Sequence, residues 1–480
     1  MKRPVGTYVK YVALNAVSAV ALSAALFASP ASAESLTDAL AAAYQSNPDL
    51  LAARAGQRAT DEGVPQALSG WLPTVNAQGS YGSAEQNAKI LKGGATIRTE
   101  TDPLIGAVTL NQNVFAGGRT VAATNVAEYS AEAGRGSLTN VEQQILLNTV
   151  VAYMDVIKNQ SVVELTKNNI DVLKRQLEAT RDRFRVGELT RTDVAQSEAR
   201  LSGSRTALTQ AEAQLTASRS AYAKVVGHAP EMLDKPAPNA DIPQSEEQAR
   251  QAAAKNNPSI QAARAAERAN RSAISLAKGA LLPSLDLQAK YQYGREASSG
   301  VYEADESSII GVLTVPLYQG GAEYSRVREA KELHSQSMMQ IASAERGVDE
   351  NVRNAWEAVR SARASIVSGE EQVSANKIAL EGVRQEEEVG SQTTLDVLNA
   401  EQELLNSSVS LVTAQRNLAV AEYGLLAATG QLTAEQLKLP VKYYDAVENY
   451  DNVRYKPVGF GTMSDDLEDE AEDAAKAGGK

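Results

Sequence analysis

The most regular patterns in this chain are two stretches in which apolar and polar residues alternate. In residues 74–81, Val75, Ala77 and Tyr81 lie on one face, and polar residues separate them. Residues 284–293 alternate in the same way. A period of two residues predicts β-strands with one apolar and one polar face. We therefore expect strands at about 72–82, 104–116, 284–293 and 309–318, with polar loops at 83–103 and 295–307.

Each pair of expected strands is followed by a long stretch without proline, at 119–186 and 322–389. A glycine ends each stretch, and a Thr-x-x-Asp capping box begins the next helix. In these later helices, apolar residues recur seven positions apart, as they do in coiled coils. The sequence thus predicts two hairpins of long helices, with their turns at 184–193 and 387–396.

The chain consists of one unit written twice. Asn47-Pro48 recurs as Asn257-Pro258, 210 residues later, and Gly117-Gly118 recurs as Gly320-Gly321, 203 residues later. Ordered matches of this kind indicate an internal duplication. We expect a first repeat at 34–240, a second repeat at 241–440, and a C-terminal extension at 441–480 with an acidic, disordered end.

The N-terminal 33 residues have the features of a leader sequence. A basic start and an apolar run precede the small-residue motif Ala31-Ser32-Ala33. This order predicts a signal peptide at 1–33 that is removed before Glu34, and the alternative is an uncleaved membrane anchor. Beyond residue 33, no segment approaches the ~20 consecutive apolar residues of a membrane helix.

Composition then narrows the classes of function. The chain of 480 residues has no cysteine and only two histidines, His228 and His334, in separate segments. Disulfides and thiolate chemistry are therefore excluded, and a histidine-built zinc site or a Ser-His-Asp triad has no support. The formal net charge of −12 disfavours nucleic-acid binding. We expect no enzyme activity, no metal and no cofactor.

The length of the expected strands raises the question of a membrane. Strands of about ten residues can cross a bilayer when they are tilted. Four of them cannot close a barrel, whereas a trimer would supply twelve. The predicted fold class is a mixed α and β membrane protein, in which a duplicated unit of long coiled-coil helices plus two β-hairpins trimerises. The alternative is a non-conducting, exported coiled-coil structural protein.

With these motifs in place, the sequence resembles the TolC family of outer-membrane efflux proteins. The resemblance rests on the duplicated Asn-Pro, on the strand ends Phe115-x-Gly-Gly and Tyr318-x-Gly-Gly, and on V-G-x(5)-D-V-x(3)-E beginning at Val186 and Val389. It implies a 12-stranded β-barrel in the outer membrane, continued through the periplasm by a 12-helix α-barrel. It also implies a homotrimeric exit duct for efflux of small molecules, for type I secretion of proteins, or for both. The implied partners are outer-membrane lipid, a periplasmic adaptor protein, and an inner-membrane transporter of the RND or ABC type.

The resemblance further implies where such a duct closes and where its adaptor docks. Family channels narrow at the tips of the helical hairpins, and the adaptor docks at the same tips. The family's gate positions fall on Asp396, Asn399, Glu387, Gln392, Asp193 and Thr192. The docking tips fall on Val186, Gly187, Val389 and Gly390.

Two features of the expected gate depart from the simple picture. Family members that hold the gate with a tyrosine and an arginine carry them at the positions of Glu387 and Gln392, so we expect Arg185 or Arg191 to make the link here. Asp396, present once in each copy, would ring the pore and favour cations. However, a carboxylate at this capping-box position stabilises any helix, and capping alone is the preferred interpretation of the equivalent Asp193.

Overall fold

The computed structural model describes residues 33–89, 92–236, 242–298 and 300–462. The predicted signal peptide, apart from Ala33, and the predicted acidic end of the chain lie outside the described residues. Within them, helices and strands alternate in the same order in both halves of the chain.

The helices of the first half begin at the polar caps that the sequence contains. Ser35 forms a full capping box with Asp38, and the Asn47 side chain accepts hydrogen bonds from the next backbone N–H groups, ahead of a proline at the first helical position. The helices are α1 (Leu36–Ser46), α2 (Pro48–Asp61), α3 (Gly63–Leu68), α4 (Arg119–Arg185) and α5 (Arg191–Val226).

The second half repeats this arrangement. Asn257 caps its helix as Asn47 does. The side-chain amide of Asn47 donates to the carbonyl of Val225, and that of Asn257 donates to the carbonyl of Ala428. Each Asn-Pro motif therefore fastens a short helix to the end of the long hairpin. The helices are α6 (Glu246–Asn256), α7 (Pro258–Gly279), α8 (Ala322–Glu388), α9 (Thr394–Ala428) and α10 (Glu448–Val453).

Helices α4 and α8 are each 67 residues long, which corresponds to about 100 Å at 1.5 Å per residue. Each packs along its return helix, α5 or α9, and α4 also packs against α9. The apolar seam near the hairpin tips gathers residues of α4, α5 and α9, namely Ile170, Leu173, Leu177, Leu201 and Leu398. These buried positions follow the apolar periodicity that the sequence shows.

A larger hydrophobic core lies where the short helices meet the long ones. Leu146 and Val150 of α4, Val352 of α8 and Leu425 of α9 have no exposed surface and pack together with α1 and α6. This core joins the two repeats, and the bidentate ion pair of Arg416 with Asp155 adds a second connection between α9 and α4. The repeats therefore form one body rather than two separate domains.

The strands lie at the other end of the long helices. Four of them form one antiparallel sheet in the order β1-β4-β5-β6, and the remaining two form a separate hairpin. The strands are β1 (Thr74–Tyr81), β2 (Ala84–Lys89), β3 (Thr96–Thr101), β4 (Leu104–Phe115), β5 (Ser284–Ser298) and β6 (Val301–Thr314).

The prediction of polar loops at 83–103 and 295–307 is wrong. Most of 83–103 is the hairpin of β2 and β3, in which Arg98 pairs with Glu85 and Glu100. In the second repeat β5 extends to Ser298 and β6 begins at Val301, and these two residues pair next to the turn. Both segments are strands whose two faces are polar, so apolar alternation does not reveal them.

The register of the sheet gathers apolar residues on one face. Val75 lies opposite Leu110, Leu110 opposite Ala289, and Ala289 opposite Ile309. Val75 and Ile309 are 63% and 76% exposed. The next row is polar throughout and contains Asn76, Thr109, Lys290 and Ser308. The sheet thus has one apolar row that crosses all four strands, and its two ends, Val75 and Ile309, are exposed.

The segment after α9 crosses back over the first repeat, and we call residues 431–462 the C-terminal strap. Its backbone N–H at Ala434 donates to Glu142, the side chain of Asn449 donates to Asp61, and Arg454 donates to Glu128. Burial raises the pKa of Asp61 and of Glu142. Three carboxylates of α2 and α4 therefore hold the strap.

None of the helices in the described ranges is long and apolar enough to cross a lipid bilayer.

Candidate functional site

The candidate site comprises the tips of the two helical hairpins, at 186–190 and 389–393. Both tips have the same backbone. A valine ends the first helix, and Gly187 (φ 87°) or Gly390 (φ 79°) adopts the left-handed conformation that reverses the chain. Nothing lies within 4 Å of a Cβ built on either glycine, so both turns are open to solvent.

Each return helix begins with the predicted capping box. Asp193 Oδ2 accepts from the Thr190 backbone N–H and hydroxyl, both at 2.8 Å. Asp396 Oδ2 accepts from the Thr393 N–H at 3.0 Å and from its hydroxyl at 2.6 Å. These hydrogen bonds to Thr393 lower the pKa of Asp396. Both aspartates therefore act as helix caps, and the pore role of Asp396 stays a prediction.

The two hairpins are joined by an ion pair that the sequence did not identify. Arg183 Nη1 on α4 lies 2.5 Å from Glu387 Oε1 at the end of α8. Arg183 also contacts Glu188 at 3.2 Å, and the Thr394 hydroxyl donates to the same Glu387 oxygen at 3.3 Å. The Glu387 side chain is only 12% exposed. This acidic residue therefore links one hairpin to the other.

Arg185 and Arg191, which we expected to make the gate link, do not contact Glu387 in the described chain. Arg185 pairs with Asp182 on its own helix. Two residues along an α-helix are about 200° apart, so Arg185 points away from the side on which Arg183 meets the second hairpin. Arg191 lies exposed in the first turn of α5. Arg183, two positions before Arg185, makes the ion pair with Glu387 instead.

The remaining gate positions differ in their surroundings. Asn399 accepts a hydrogen bond of 2.6 Å from Arg200, which links α9 to α5 and places a positive charge beside an uncharged position. Thr192 and Gln392 are exposed on the two tips. Of the docking positions, Val186 is 72% exposed and Val389 is 81% exposed. Each tip therefore presents a valine beside an open glycine turn.

The tips are alike in backbone and opposite in charge. At the spacing of 203 residues, Arg183 and Arg185 of the first hairpin correspond to Glu386 and Glu388 of the second. Below the tips, by contrast, both repeats contain the same ion pair: Arg181 pairs with Glu198, and Arg384 pairs with Glu401. Each of these residues recurs 203 positions later, so the repeat in the sequence could have located both pairs.

The comparisons with known proteins agree with this architecture. The family model described as "Outer membrane efflux protein" matches residues 39–228 and 249–431. The outer membrane efflux protein BepC of Brucella suis biovar 1 is 36% identical over 432 residues, which cover 89% of this chain and 92% of BepC. The outer membrane protein TolC of Vibrio cholerae serotype O1 is 27% identical over 414 residues, which cover 84% of this chain and 92% of that protein.

A solved structure shares the fold. The Campylobacter jejuni CmeC outer membrane channel superposes with a TM-score of 0.75 at 17% identity, and the match covers 89% of this chain and 90% of CmeC. At that identity the likeness shows the fold alone. The long helices and the strands described above are thus arranged as in TolC-like channels.

Proposed function

Because the chain belongs to the outer membrane efflux protein family, we propose that three copies of it form a channel that serves as an exit duct. The duct exports small molecules, proteins of type I secretion systems, or both. Members of the family are outer-membrane transport proteins rather than enzymes. The duct itself therefore performs no covalent chemistry, and its function lies in its shape and its gate.

The observation that carries this proposal is the four-stranded sheet with an exposed apolar row across one face. Strands β1 and β6 are its edges, and each pairs with only one neighbour in the described chain. Unpaired backbone groups and an open sheet are too costly in lipid. Three copies that pair β6 of one with β1 of the next would close twelve strands, with the polar rows facing a water-filled lumen and the apolar rows facing lipid.

The helices carry the duct away from the membrane, into the periplasm. At about 100 Å, α4 and α8 place both hairpin tips far from the sheet. We propose that a periplasmic adaptor docks on the exposed tips, at Val186, Gly187, Val389 and Gly390, and that an inner-membrane RND or ABC transporter supplies the cargo. Three copies would bring six of these exposed valines to one end of the duct, and a contiguous apolar patch marks a site of contact with another protein.

We propose that the same tips form the gate. In each copy, Arg183–Glu387 holds the second hairpin against the first, and Arg200–Asn399 holds it again below the tip. Three copies of Asp396 would line the narrow end and attract cations. Asp193 and Thr192 on the first tip and Gln392 on the second face neighbouring tips in the closed ring. Movement of the second hairpin away from the first would break both links and widen the end.

The test is single-channel recording of the detergent-extracted protein in a planar lipid bilayer. We expect cation-selective openings of one size, from an oligomer whose mass in native mass spectrometry is that of three chains. Insertion without openings, at the same mass, would indicate a shut gate, and the gate variants below would then open it. Full solubility without detergent and no insertion would contradict the duct and favour a coiled-coil structural protein.

A further inference from the structure

Glu34 is held in a closely fitted site, which we call the N-terminal socket: Tyr153, Tyr222, His228 and residues 232–234. The Glu34 N–H donates to the carbonyl of Met232 at 2.7 Å, and the Glu34 carbonyl accepts from the Asp234 N–H at 3.1 Å. The Tyr222 hydroxyl donates to Glu34 Oε1 at 2.6 Å. Backbone and side chain of one residue are thus both recognised.

The walls of the socket are two buried tyrosines on different helices. Tyr153 of α4 and Tyr222 of α5 have no exposed surface, and their rings lie 6.4 Å apart. The Tyr153 hydroxyl lies 2.8 Å from the Glu34 carbonyl and 2.7 Å from that of Asp234. Burial, together with the carboxylates nearby, raises the pKa of both tyrosines, so both remain neutral donors. Among the described residues, the two hydroxyls thus hydrogen-bond only to Glu34 and to the backbone of Asp234.

The charges around the socket are unbalanced. Three carboxylates, those of Glu34, Asp38 and Asp234, raise the pKa of Tyr153, and the first two also raise that of Tyr222. Within the described residues, the ion-pair contact of Glu34 is to His228 Nε2 at 3.4 Å, and that side chain is half exposed. Glu34 itself is only 15% exposed. A carboxylate enclosed in this way is costly unless a cation lies beside it.

We propose that the leader is removed between Ala33 and Glu34 and that the new α-ammonium of Glu34 completes the socket. A leader peptidase of the export pathway would hydrolyse this bond with water, which leaves a carboxylate on Ala33 and an amine on Glu34. An α-amino group has an ordinary pKa of about 7.7–8.0, so the amine takes up a proton near neutral pH.

The position of the Glu34 nitrogen supports this assignment. It already lies 2.7 Å from the Met232 carbonyl, in a hydrogen bond that an ammonium group would strengthen. In the uncut chain that nitrogen is a neutral amide, whereas after cleavage it brings a positive charge among the three carboxylates. The processed chain is therefore more stable than a chain whose terminus lies elsewhere. This inference does not depend on whether the protein conducts.

The experiment moves the terminus while it preserves export. A Gly-Ser insertion between Ala33 and Glu34 places the ammonium two residues upstream, and mass spectrometry of the N-terminal peptide identifies the first residue of each purified protein. The thermal unfolding midpoint is compared in four proteins: the wild type, the insertion, Glu34→Gln, and the insertion combined with Glu34→Gln. The substitution keeps the shape of the side chain and removes its charge.

We expect the wild type to begin at Glu34 and the insertion to lower the unfolding midpoint. We expect a clearly smaller loss from the insertion in the Glu34→Gln protein, because the ammonium then has one carboxylate fewer to neutralise. Equal losses in both backgrounds would mean that the insertion acts by crowding alone and would overturn the proposal. No loss in either background, or a wild-type chain that begins at another residue, would overturn it as well.

Discussion

At the scale of single residues, Glu387 lies where its own helix disfavours it. The last turn of α8 holds Glu386, Glu387 and Glu388, with no basic residue among them. The C-terminal end of a helix carries partial negative charge, so carboxylates there are destabilising. The corresponding turn of α4 carries Arg183 and Arg185, which suit the same position. The ion pair across the hairpins therefore offsets a cost that α8 cannot relieve within itself.

This imbalance predicts the effect of removing the pair. Glu387→Gln should increase the open probability of the channel, because Arg183 then loses its charged partner on the second hairpin. An ion pair worth about 1 kcal/mol would change the open-to-closed ratio roughly fivefold in each copy. The measurement is single-channel recording at fixed voltage and salt concentration.

Glu386→Gln is the matched control for this variant. It removes the same charge one residue earlier, from an exposed side chain that makes no ion pair within the described chain. It should leave the open probability near the wild-type value. Equal effects of both substitutions would mean that the total charge of the tip, rather than the link to Arg183, controls the gate.

Substitutions at Asp396 and Asp193 can separate helix capping from a role in the pore, because the two carboxylates make equivalent hydrogen bonds. Asp396→Asn and Asp193→Asn should weaken their helix starts to a similar extent, seen as similar losses in thermal midpoint. Only Asp396→Asn should reduce the preference for cations, measured as the reversal potential in a salt gradient. If cation preference is unchanged in both, the aspartates act as caps alone.

The cap at Thr393 has a pH dependence whose sign follows from the pKa of Asp396. Hydrogen bonds from Thr393 lower this pKa below its ordinary value of 3.8. The stabilisation is therefore present above the ordinary pKa and is lost as the pH falls through the lowered one. The cap should thus remain intact over the whole range in which the channel can be recorded.

At the scale of elements, the equivalent glycines after α5 and α9 differ in what surrounds them. Gly430 has φ 78°, and a Cβ there would lie 2.6 Å from the backbone oxygen of Asn256. Gly227 has φ 100°, and its nearest obstacle is the Ser46 hydroxyl at 3.0 Å, a side-chain atom that can turn aside. The Asn-Pro cap of the second repeat thus packs directly on its glycine.

Gly430→Ala should therefore destabilise the protein more than Gly227→Ala. Both substitutions carry the left-handed backbone cost of about 1–2 kcal/mol, and Gly430→Ala adds a collision with backbone that cannot move alone. Thermal unfolding of the two variants measures the difference. Equal losses would mean that the chain at Asn256 shifts freely, contrary to the packing described above.

The elements also show which parts of the structure a sequence can predict. The caps at Thr190 and Thr393 were readable because a capping box is a contact over three residues. The strands β2 and β3 were not, because both of their faces are polar. Arg183 was missed for a different reason: several arginines crowd the first tip, and the packing of one hairpin on the other decides which of them meets Glu387.

At the scale of the whole molecule, the C-terminal strap, apart from its first residue, lies beyond the residues that the family model matches, since that match ends at residue 431. Burial raises the pKa of Asp61 and Glu142, which accept hydrogen bonds from the strap. For such groups the stabilisation is complete below the ordinary carboxyl pKa and is lost as the pH rises through the raised one. The burial that the strap adds should thus favour its binding as the pH falls through these raised pKa values.

Limited trypsin digestion measures this effect, because the strap contains Lys438, Lys442 and Arg454. The cleavage rate in the strap is compared between the wild type and the Asp61→Asn, Glu142→Gln double variant, at pH 7.5 and at pH 5.5. The ratio of the two rates cancels the pH dependence of the protease. We expect the wild type to become relatively more resistant at pH 5.5, and a constant ratio would contradict the assigned role of the carboxylates.

The opposite charges of the two tips predict how copies would meet in the proposed trimer. Around a closed threefold ring, first and second hairpins alternate, so each acidic tip lies between the basic tip of its own copy and that of the next. Glu387 is already paired within its copy. Glu388 is therefore available to pair with the neighbouring copy. The exposed Arg191 lies at the positive N-terminal end of α5, where a positive charge is unfavourable. An ion pair between Glu388 of one copy and Arg191 of the next would stabilise both residues.

Crosslinking can test this arrangement directly, because the natural chain has no cysteine. With a short bismaleimide, the Glu388→Cys, Arg191→Cys variant should yield covalent dimers and trimers of the chain in denaturing gels. The Arg183→Cys, Glu387→Cys variant is the control and should crosslink within one chain, without a gain in mass. If the first variant remained at the mass of one chain although native mass spectrometry showed a trimer, then the tips of neighbouring copies would not meet through these charges, and the seam between copies would have to be held by the helices below them.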